Sequence, residues 1–532
     1  MGHGYRTAQR HTSNSSGRVM NGATDQEQID EGAAPSLHLP SWLTQVIELD
    51  PAANALHFED TWRTWGWLGA GVRALHERLD AAGFGEGSMV GVLMRNRPEI
   101  VRAITGALAT GRCLVTLSSA IPADKLADEI RRLRLPVIVA TASDWANESI
   151  LEAARDAGSL ALLADESDVP FAIVVAAGER GDAPTIAPGV AVQMLTSGTT
   201  GPPKRIDLLY RSLEHEIVST ASYSRNSDLS APRLSSGVSL VWNPLLHMGG
   251  LRALTSSLVA GRSVALMERF NVDQWAKNVR EHRLRVVGLV PTALAMVLAA
   301  DLPRDLFEHV QAVFAGTSPL DPELGRAFEE KYGVPVLEVY GATEFAGGVA
   351  GWTLSDRRQF GDTKTGSVGR PNQGVEVRVV DAETGESVPN GSVGLLEVRA
   401  PQLAQSGWTR TTDLAHMDDD QFLWITGRAD DVIIRGGFKV ATGEVGKVLA
   451  GHPSVLEACV IGLPDQRLGQ VPVAAVQLRD DAEPITSEAL LIWAREKLSG
   501  YQVPVELRIV AELPRTPSMK VSQVEVRNLF VV

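Results

Sequence analysis

Apolar residues recur along most of the chain with the periods of helices and strands in alternation. Trp67, Val72, Leu75 and Leu79 fall close to one stripe of a helix. Short, continuous apolar runs lie between such stripes, as is typical of strands buried on both faces. These runs are residues 89–94, 114–117, 137–140, 173–176, 238–242, 264–267 and 313–315. The alternation predicts an α/β fold of mostly parallel sheets with helices on both faces.

The longest apolar run, residues 286–300, contains Gly288 and Pro291. It predicts a buried strand at 286–290 and a helix that begins near Pro291, because proline suits the first turn of a helix. The run is too short to span a bilayer, so we expect no transmembrane segment.

Two changes of pattern predict the domain organisation. Residues 375–380 and 394–398 are short apolar runs separated by turn residues, which indicates a small β subdomain. After residue 429 a new α+β pattern begins, with strands predicted at 432–434 and 458–461 and helices at 443–449 and 488–498. Residues 1–33 are polar and contain few large apolar side chains. We therefore predict a disordered tail over 1–33, an N-terminal domain over 34–429 and a smaller C-terminal domain over 430–532.

Composition narrows the class of protein. The 532 residues are 44% hydrophobic and carry a formal net charge of −14. This length requires more than one core, and the negative field disfavours nucleic acid or an anionic membrane as a partner. Cys113 and Cys459 are too few for a disulfide framework or a metal cluster, and no apolar signal segment follows Met1. We expect a soluble protein of the reducing cytoplasm.

Residues 195–204 read Leu-Thr-Ser-Gly-Thr-Thr-Gly-Pro-Pro-Lys, a run that suits a polyphosphate ligand. Glycines allow backbone N–H groups to converge on an anion, hydroxyls add donors, and Lys204 adds positive charge. The same composition is typical of an exposed turn, so the run alone leaves both interpretations open. The prolines before Lys204 exclude the helix start of the Walker motif. ATP is the first ligand to consider.

Three further motifs follow this run. Residues 340–344 read Tyr-Gly-Ala-Thr-Glu, residues 409–413 read Thr-Arg-Thr-Thr-Asp, and residues 514–520 read Pro-Arg-Thr-Pro-Ser-Met-Lys. In this order and spacing, the motifs resemble those of the adenylate-forming superfamily, which contains acyl-CoA synthetases, adenylation domains and luciferases. The chain is most similar to the class I acyl- or aryl-CoA ligases, and the resemblance extends over roughly residues 40–532.

The resemblance implies an ATP-dependent carboxylic acid:CoA ligase that uses ATP, Mg²⁺ and coenzyme A. The acid would attack the α-phosphate of ATP, release pyrophosphate and become an acyl-AMP, which the thiol of CoA then attacks. The acid would be apolar, with a fatty, aryl or alicyclic tail, because small residues follow Glu344 and no acidic residue lies in 242–250 to hold an amino group. The partners expected are these small molecules, and a homodimer is left open.

The resemblance also assigns roles to particular residues. Lys520, Glu344, Thr343 and His247 would be catalytic, with Glu344 and Thr200 at the metal. The residues expected to bind the nucleotide or CoA are Thr196, Ser197, Gly198, Thr199, Thr200, Gly201, Lys204, Gly316, Thr317, Ser318, Tyr340, Gly341, Ala342, Asp413, Ile425, Arg428, Gly436 and Gly437. Those expected around the acid are His247, Met248, Ala315, Gly316, Val339, Gly341, Ala346 and Gly347. The C-terminal domain would rotate about Asp430, presenting Lys520 first and Gly437 second.

Three positions depart from the family pattern. Arg205, Thr412 and Met519 stand where the family generally has glycine. These departures leave open an acyl-AMP-binding protein with impaired turnover. A stand-alone adenylation enzyme that loads a carrier protein is the second alternative within the same fold.

Overall fold

The computed structural model describes residues 37–179, 186–196, 204–221, 229–403, 407–479, 482–515 and 521–531. At Thr196, Lys204, Asp430 and Lys439 it describes the backbone alone. The tail predicted over 1–33 lies outside these ranges. The boundary predicted at residue 430 stays a prediction.

Helices and strands alternate through the first half of the described chain. They are α1 (Leu39–Glu48), β1 (Asn54–Phe58), β2 (Thr61–Thr64), α2 (Trp65–Ala81), β3 (Met89–Met94), α3 (Pro98–Ala109), β4 (Cys113–Ser118), α4 (Ala123–Leu133), β5 (Val137–Thr141), α5 (Ala142–Trp145), α6 (Glu148–Asp156), β6 (Leu160–Ala164), β7 (Ala172–Val175), β8 (Val190–Thr196), β9 (Lys204–Leu209), α7 (Tyr210–Ala221), β10 (Ser235–Val241), α8 (Met248–Val259) and β11 (Arg262–Leu266).

The second half begins with the same alternation and then becomes richer in strands. Its elements are α9 (Val272–Glu281), β12 (Val286–Gly288), α10 (Pro291–Ala299), β13 (Ala312–Gly316), α11 (Pro322–Tyr332), β14 (Val336–Ala342), β15 (Gly347–Gly351), α12 (Leu354–Phe360), β16 (Arg370–Pro371), β17 (Glu376–Val380), β18 (Gly394–Arg399), β19 (Thr409–Met417), β20 (Leu423–Arg428), β21 (Val432–Arg435), β22 (Phe438–Ala441), α13 (Thr442–Ala450), β23 (Val455–Asp465), β24 (Gly469–Leu478), α14 (Ser487–Lys497), β25 (Glu506–Val510) and α15 (Gln523–Asn528).

The largest sheet has seven strands in the order β7-β6-β5-β3-β4-β8-β9. Its central strands are parallel, and both edges, β7 and β9, are antiparallel to their neighbours. Strands β3 and β4 are buried at every position, as the continuous apolar runs predict. Helices α1, α2 and α3 contribute to one core cluster with these strands, whereas α4 and α6 contribute to another. The predicted α/β architecture with mostly parallel strands is confirmed here.

Two further sheets complete the α/β part. One has the order β10-β11-β1-β2, and the other has the order β12-β13-β14-β15-β16. Strands β12, β13 and β14 are parallel, so their carboxyl ends lie at one edge. Loops that bind ligands commonly follow such ends.

The remaining two sheets are built differently. Strands β17 to β20 form an antiparallel sheet, which is the predicted β subdomain. The last sheet has the order β22-β21-β24-β23, with β25 added parallel to β24. Helices α13 and α14 cover it around Val445, Leu449 and Leu490. This arrangement agrees with the α+β pattern predicted after residue 429.

Local interactions explain where helix α2 begins and which face it buries. The side chain of Thr64 accepts a hydrogen bond from the backbone N–H of Trp67 and so caps the helix. The buried stripe includes Val72, Leu75 and Leu79, as predicted. Trp67 is half-buried beside this stripe, and the Arg102 guanidinium lies 4.1 Å from its ring centroid.

Two predicted strands differ in the structure. The strand expected at 286–290 is shortened to β12, where Val286 is 43% exposed, because it forms the edge of its sheet. The run 173–176 forms β7, but this strand is antiparallel to β6 and mostly exposed. A short apolar run does not distinguish an edge strand from a central one. Within the described ranges, no helix combines the length and apolar character needed to cross a bilayer.

Candidate active site

The carboxyl ends of β13 and β14 bring two predicted loops together. Gly316, at the end of β13, pairs in register with Val339 of β14. The segment Thr317–Ser318 and the segment that starts at Thr343 therefore leave the sheet at the same edge. Ala315 is buried beneath this edge. The predicted adenine loop and the Tyr340 motif are thus neighbours.

Strand β15 returns alongside β14 and fixes the glycine of this motif. Gly341 pairs with Gly348, and Ala342 pairs with Gly347. A Cβ atom at position 341 would lie 2.1 Å from the carbonyl oxygen of Gly347, which is shorter than any allowed van der Waals distance. Glycine is required at position 341 because the two backbones approach so closely.

Tyr340, Asp413, Arg428 and Thr412 form one polar cluster. The Tyr340 hydroxyl donates a short hydrogen bond to Oδ2 of Asp413. Arg428 lies opposite Asp413 in the β19–β20 ladder, with Nη1 3.9 Å from Oδ1. Its Nη2 donates to Oγ1 of Thr412 over 2.6 Å. Burial, followed by the charge of Asp413, raises the pKa of Tyr340 above its usual range, so the phenol keeps its proton and remains a donor.

The predicted residue Ile425 lies on the strand next to this cluster. It pairs with Ala415 across the β19–β20 ladder and contacts the core of the β subdomain. Its place therefore fixes the strand that carries Arg428.

The predicted phosphate run connects two antiparallel strands. Thr196 ends β8 and pairs with Lys204, which begins β9. Ser197, Gly198, Thr199, Thr200 and Gly201 lie outside the described residues. A strand follows Lys204, as the prolines require in place of a Walker helix. Strand β9 runs beside the turn Thr343–Phe345, so the run ends near the predicted metal ligand.

Glu344 is suited to a hard cation. It lies in the single turn Thr343–Phe345, is exposed, and forms no ion pair with a described residue. Thr343 beside it is half-buried, and Ala346 ends the turn with a φ of 56°. An accessible carboxylate close to a phosphate run is the donor that Mg²⁺ prefers. Thr200, the second predicted ligand, lies outside the described residues.

The first turn of α8 forms the wall expected around the acid. His247 is the extended residue before α8, and its carbonyl accepts the N–H groups of Gly250 and Leu251. A Cβ atom at Gly249 would lie 3.8 Å from Cγ2 of Thr317. The segment that carries His247 and the buried Met248 therefore lies against the loop after β13.

A charge pair with a buried carboxylate at this wall was missed by the sequence analysis. Glu216 of α7 lies under Gly347, where a Cβ atom would be 2.8 Å from both Cγ and Oε1 of Glu216. Nη1 of Arg252, on α8, is 3.5 Å from the same Oε1. Burial raises the pKa of Glu216 to about 7. No motif marks either residue, because their meeting depends on the packing of α7, α8 and β15.

The C-terminal residues of the prediction are placed in part. Gly436 and Gly437 form the turn between β21 and β22, with φ of 59° and 89°. The Arg435 guanidinium donates to the carbonyl of Tyr501 over 2.8 Å. The contact of this turn with CoA stays a prediction. Asp430 lies in the turn Ala429–Asp431, and Met519 and Lys520 lie outside the described residues.

Two of the three departures from glycine have structural partners. The Arg205 guanidinium pairs with Glu129 of α4 at 2.6 Å and donates to the carbonyl of Thr116 over 3.1 Å. Its side chain is therefore used between β9 and α4. The Thr412 hydroxyl accepts the hydrogen bond from Arg428. Both residues hold neighbours of the site in place.

Comparison with protein families and curated proteins gives matches over nearly the whole chain. The family model described as AMP-binding enzyme matches residues 43–408, and the AMP-binding enzyme C-terminal domain matches residues 444–520. The sulfoacetate–CoA ligase of Cupriavidus necator is 30% identical over 96% of this chain and 100% of that protein. The 2-succinylbenzoate–CoA ligase of Bacillus subtilis is 29% identical over 92% of this chain and 98% of that protein.

Solved structures agree with these matches. The O-succinylbenzoate coenzyme A synthetase of Bacillus subtilis, in complex with ATP and magnesium ion, aligns with a TM-score of 0.75 at 26% identity, over 92% of this chain and 99% of that chain. The amide bond synthetase of Marinactinospora thermotolerans aligns with a TM-score of 0.74 at 26% identity, over 93% and 100% of the two chains. These structures share the large N-terminal and smaller C-terminal domains.

Proposed function

Because the chain belongs to the AMP-binding enzyme family, we propose that it is an ATP-dependent carboxylic acid:CoA ligase. The observation that carries this proposal is the meeting of the Tyr340–Asp413–Arg428 cluster, the Thr343–Phe345 turn and the start of α8 around the ends of β13 and β14. Nucleotide, metal and acid would then share one site.

The described residues fit ATP and Mg²⁺. Asp413 would offer a carboxylate to the ribose hydroxyls, and Tyr340, Gly316 and Thr317 would border the adenine. Glu344 would hold Mg²⁺ together with Thr200, and Lys204 would neutralise phosphate charge. When bound, Mg²⁺ supplies positive charge at the phosphates during attack on the α-phosphate.

The pocket for the acid would be lined mostly by small residues. His247 and Met248 would form one side, and Ala315, Val339, Ala346 and Gly347 would form the other. Acids with fatty, aryl or alicyclic tails therefore remain the expected substrates. The names of two relatives widen the set, because sulfoacetate and 2-succinylbenzoate each carry a second anionic group.

The cell compartment is also a proposal. Burial raises the pKa of both Cys113 and Cys459 to about 12, so neither thiol is primed for oxidation. Both cysteines are free rather than paired in a disulfide, which suits the reducing cytoplasm.

Pyrophosphate exchange tests the proposed function. Purified protein is incubated with ATP, Mg²⁺, labelled pyrophosphate and a panel of fatty, aryl, alicyclic and dicarboxylic acids. We expect acid-dependent return of label to ATP, and thioester formation once CoA is added. Pyrophosphate exchange followed by transfer of the acyl group to a holo-carrier protein, and not to CoA, would support the carrier-loading alternative. Tight binding of an acyl-AMP analogue without exchange for any acid would instead support a turnover-impaired binding protein.

A further inference from the structure

The charge pair Glu216–Arg252 lies at the wall of the proposed acid pocket. Gly347 is a pocket residue by prediction, and Oε1 of Glu216 occupies the space beside its Cα. Arg252 is on the helix that starts directly after His247. At 1.5 Å per residue, five residues place Arg252 about 7.5 Å further along the helix axis than His247. The pair therefore lies apart from His247, the residue expected beside the carboxylate that is activated.

Neither side chain is fully used by the protein. The side chain of Glu216 is 1% exposed, and its Oε1 accepts no hydrogen bond from any residue in the described ranges. The Arg252 side chain is 35% exposed. Within the same ranges, its guanidinium has a contact with Glu216 at 3.5 Å, which is an ion pair but not a good hydrogen bond. A guanidinium carries five N–H donors, so most of them are available to a ligand.

Such a pair is costly unless something further binds to it. Burial of a carboxylate with one distant partner is unfavourable, and hydrophobic residues of similar volume would fill the space at lower cost. Arginine binds carboxylate and sulfonate groups through two parallel N–H donors. Oε1 of Glu216 lies beside Gly347, so the guanidinium that contacts this oxygen also lies close to the pocket wall.

We propose that Arg252, held by Glu216, binds a second anionic group at the far end of the substrate acid. The inference rests on the proposed function and narrows its substrate class to carboxylic acids with a distal carboxylate or sulfonate. Small residues line the middle of the pocket, so the two anionic ends would be joined by an apolar spacer. Because the pKa of Glu216 is raised to about 7, its carboxyl is partly protonated near neutral pH, and this limits its repulsion of the second anion.

The test compares acids that differ at the far end alone. Pyrophosphate exchange is measured with adipate against hexanoate, pimelate against heptanoate, and 4-sulfobutanoate against pentanoate. We expect wild-type kcat/KM to favour the acid with two anionic groups at least 10-fold for one or more pairs. Arg252→Met should lower that preference about 30-fold, and Arg252→Lys should retain part of it. Arg280→Met removes a charge that is 63% exposed on α9 and should keep the wild-type preference.

A binding measurement separates this inference from the proposed function. The thermal midpoint of each variant is measured with either acid of a pair in the presence of AMP. Stabilisation by the dianionic acid that is lost in Arg252→Met supports the inference even if no acid supports exchange, in which case only the ligase function fails. The inference is overturned if the monoacid is preferred for every pair, or if Arg252→Met changes both acids by the same factor.

Discussion

Single side chains decide how firmly the nucleotide end of the site is organised. Asp413 has one oxygen on the Tyr340 hydroxyl and the other near Arg428, and Arg428 is held in turn by Thr412. Each contact restricts the rotamers of the next side chain. The carboxylate that is proposed to bind ribose is therefore oriented before the nucleotide arrives.

Thr412→Val tests this restriction, because valine keeps the shape and removes the hydroxyl. Loss of a hydrogen bond to a guanidinium that is 39% exposed should raise KM for ATP about fivefold, with little change in KM for the acid. Thr412→Ser keeps the hydroxyl and is the matched control. Equal ATP kinetics in both variants would show that Thr412 does not position Arg428.

Glu216 gives the protein a stability that depends on pH. Its pKa is raised by burial to about 7 from a usual 4.5, so the folded state binds the proton more tightly than the unfolded state does. Stability is therefore lost as pH rises from 4.5 to about 7, and the full cost, about 3 kcal/mol, is present above pH 7.

Glu216→Gln should remove that cost. We expect a higher thermal midpoint than wild type at pH 8 and no gain at pH 4.5, measured by calorimetry in the absence of substrates. Among the described residues, Arg252 is the charged group that faces Glu216, and Arg252→Met should lower the thermal midpoint at pH 8. The control Glu148→Gln changes a carboxylate that is 71% exposed. A gain for Glu216→Gln that is equal at both pH values would contradict the raised pKa.

Residues with motifs could be placed from the sequence, and residues without motifs could not. Tyr340 and Asp413 were expected at one site, and the structure joins them by a hydrogen bond. Thr412 was predicted only as a departure from the family's glycine, because its partner Arg428 becomes visible only in the β19–β20 ladder. Glu216 gave no signal, since a lone glutamate in a helix is usually solvated.

At the scale of elements, β9 and α4 are tied by Arg205 and Glu129. Both side chains are 11% exposed, and Arg132 is the more distant second partner of Glu129 at 3.8 Å. This tie fixes β9, the strand that begins at the end of the phosphate run. Arg205 therefore supports the phosphate run and is not expected to contact its ligand.

Arg205→Met should destabilise the protein by about 2 kcal/mol, because it leaves Glu129 poorly paired in a mostly buried place. In a protein of this size the thermal midpoint would fall by about 2 °C. Glu129→Gln and the double variant complete a mutant cycle, and the double variant should be less destabilised than the two single effects added together. Strictly additive effects would show that the pair does not interact. Arg205→Gly, which restores the family residue, should not accelerate pyrophosphate exchange.

Periodicity predicted most of the helices and strands, but it did not predict which of them are neighbours in the fold. Helix α10 begins at Pro291 as predicted, because proline fixes the local backbone. Strand β12 was expected to be longer and buried, but its place at the edge of a sheet exposes Val286. Whether a strand lies at the edge or in the centre of a sheet depends on which strands pair with it. An apolar run in the sequence does not show this pairing.

At the scale of the whole molecule, the proposed chemistry draws on both halves of the chain. Glu344, Asp413 and Arg428 precede the predicted hinge at Asp430, whereas the predicted catalytic Lys520 comes after it. Lys520 would balance charge between the acid and the α-phosphate, and the turn at Gly437 would replace it when CoA enters. The order of these steps cannot be read from composition or periodicity, and it was expected from the family resemblance alone.

Lys520→Ala should separate the two half-reactions. Adenylation from acid and ATP should fall about 10² to 10³-fold, as for the loss of one electrostatic donor. Thioester formation from supplied acyl-AMP should remain close to wild type, because the lysine would then be out of the site. Lys447→Ala removes an exposed lysine of α13 and is the control. An equal loss in both half-reactions would refute this division of labour.

The contact of Gly347 with Glu216 constrains how such an enzyme could change its substrate over generations. A methyl group at position 347 would collide with the carboxylate beneath it, so narrowing the cavity there first requires a shorter residue at 216. Shortening residue 216 first would release Arg252 and forfeit recognition of the distal anion. Either order of substitution passes through an intermediate with poorer activity. Related enzymes that act on other acids should therefore carry both substitutions or neither.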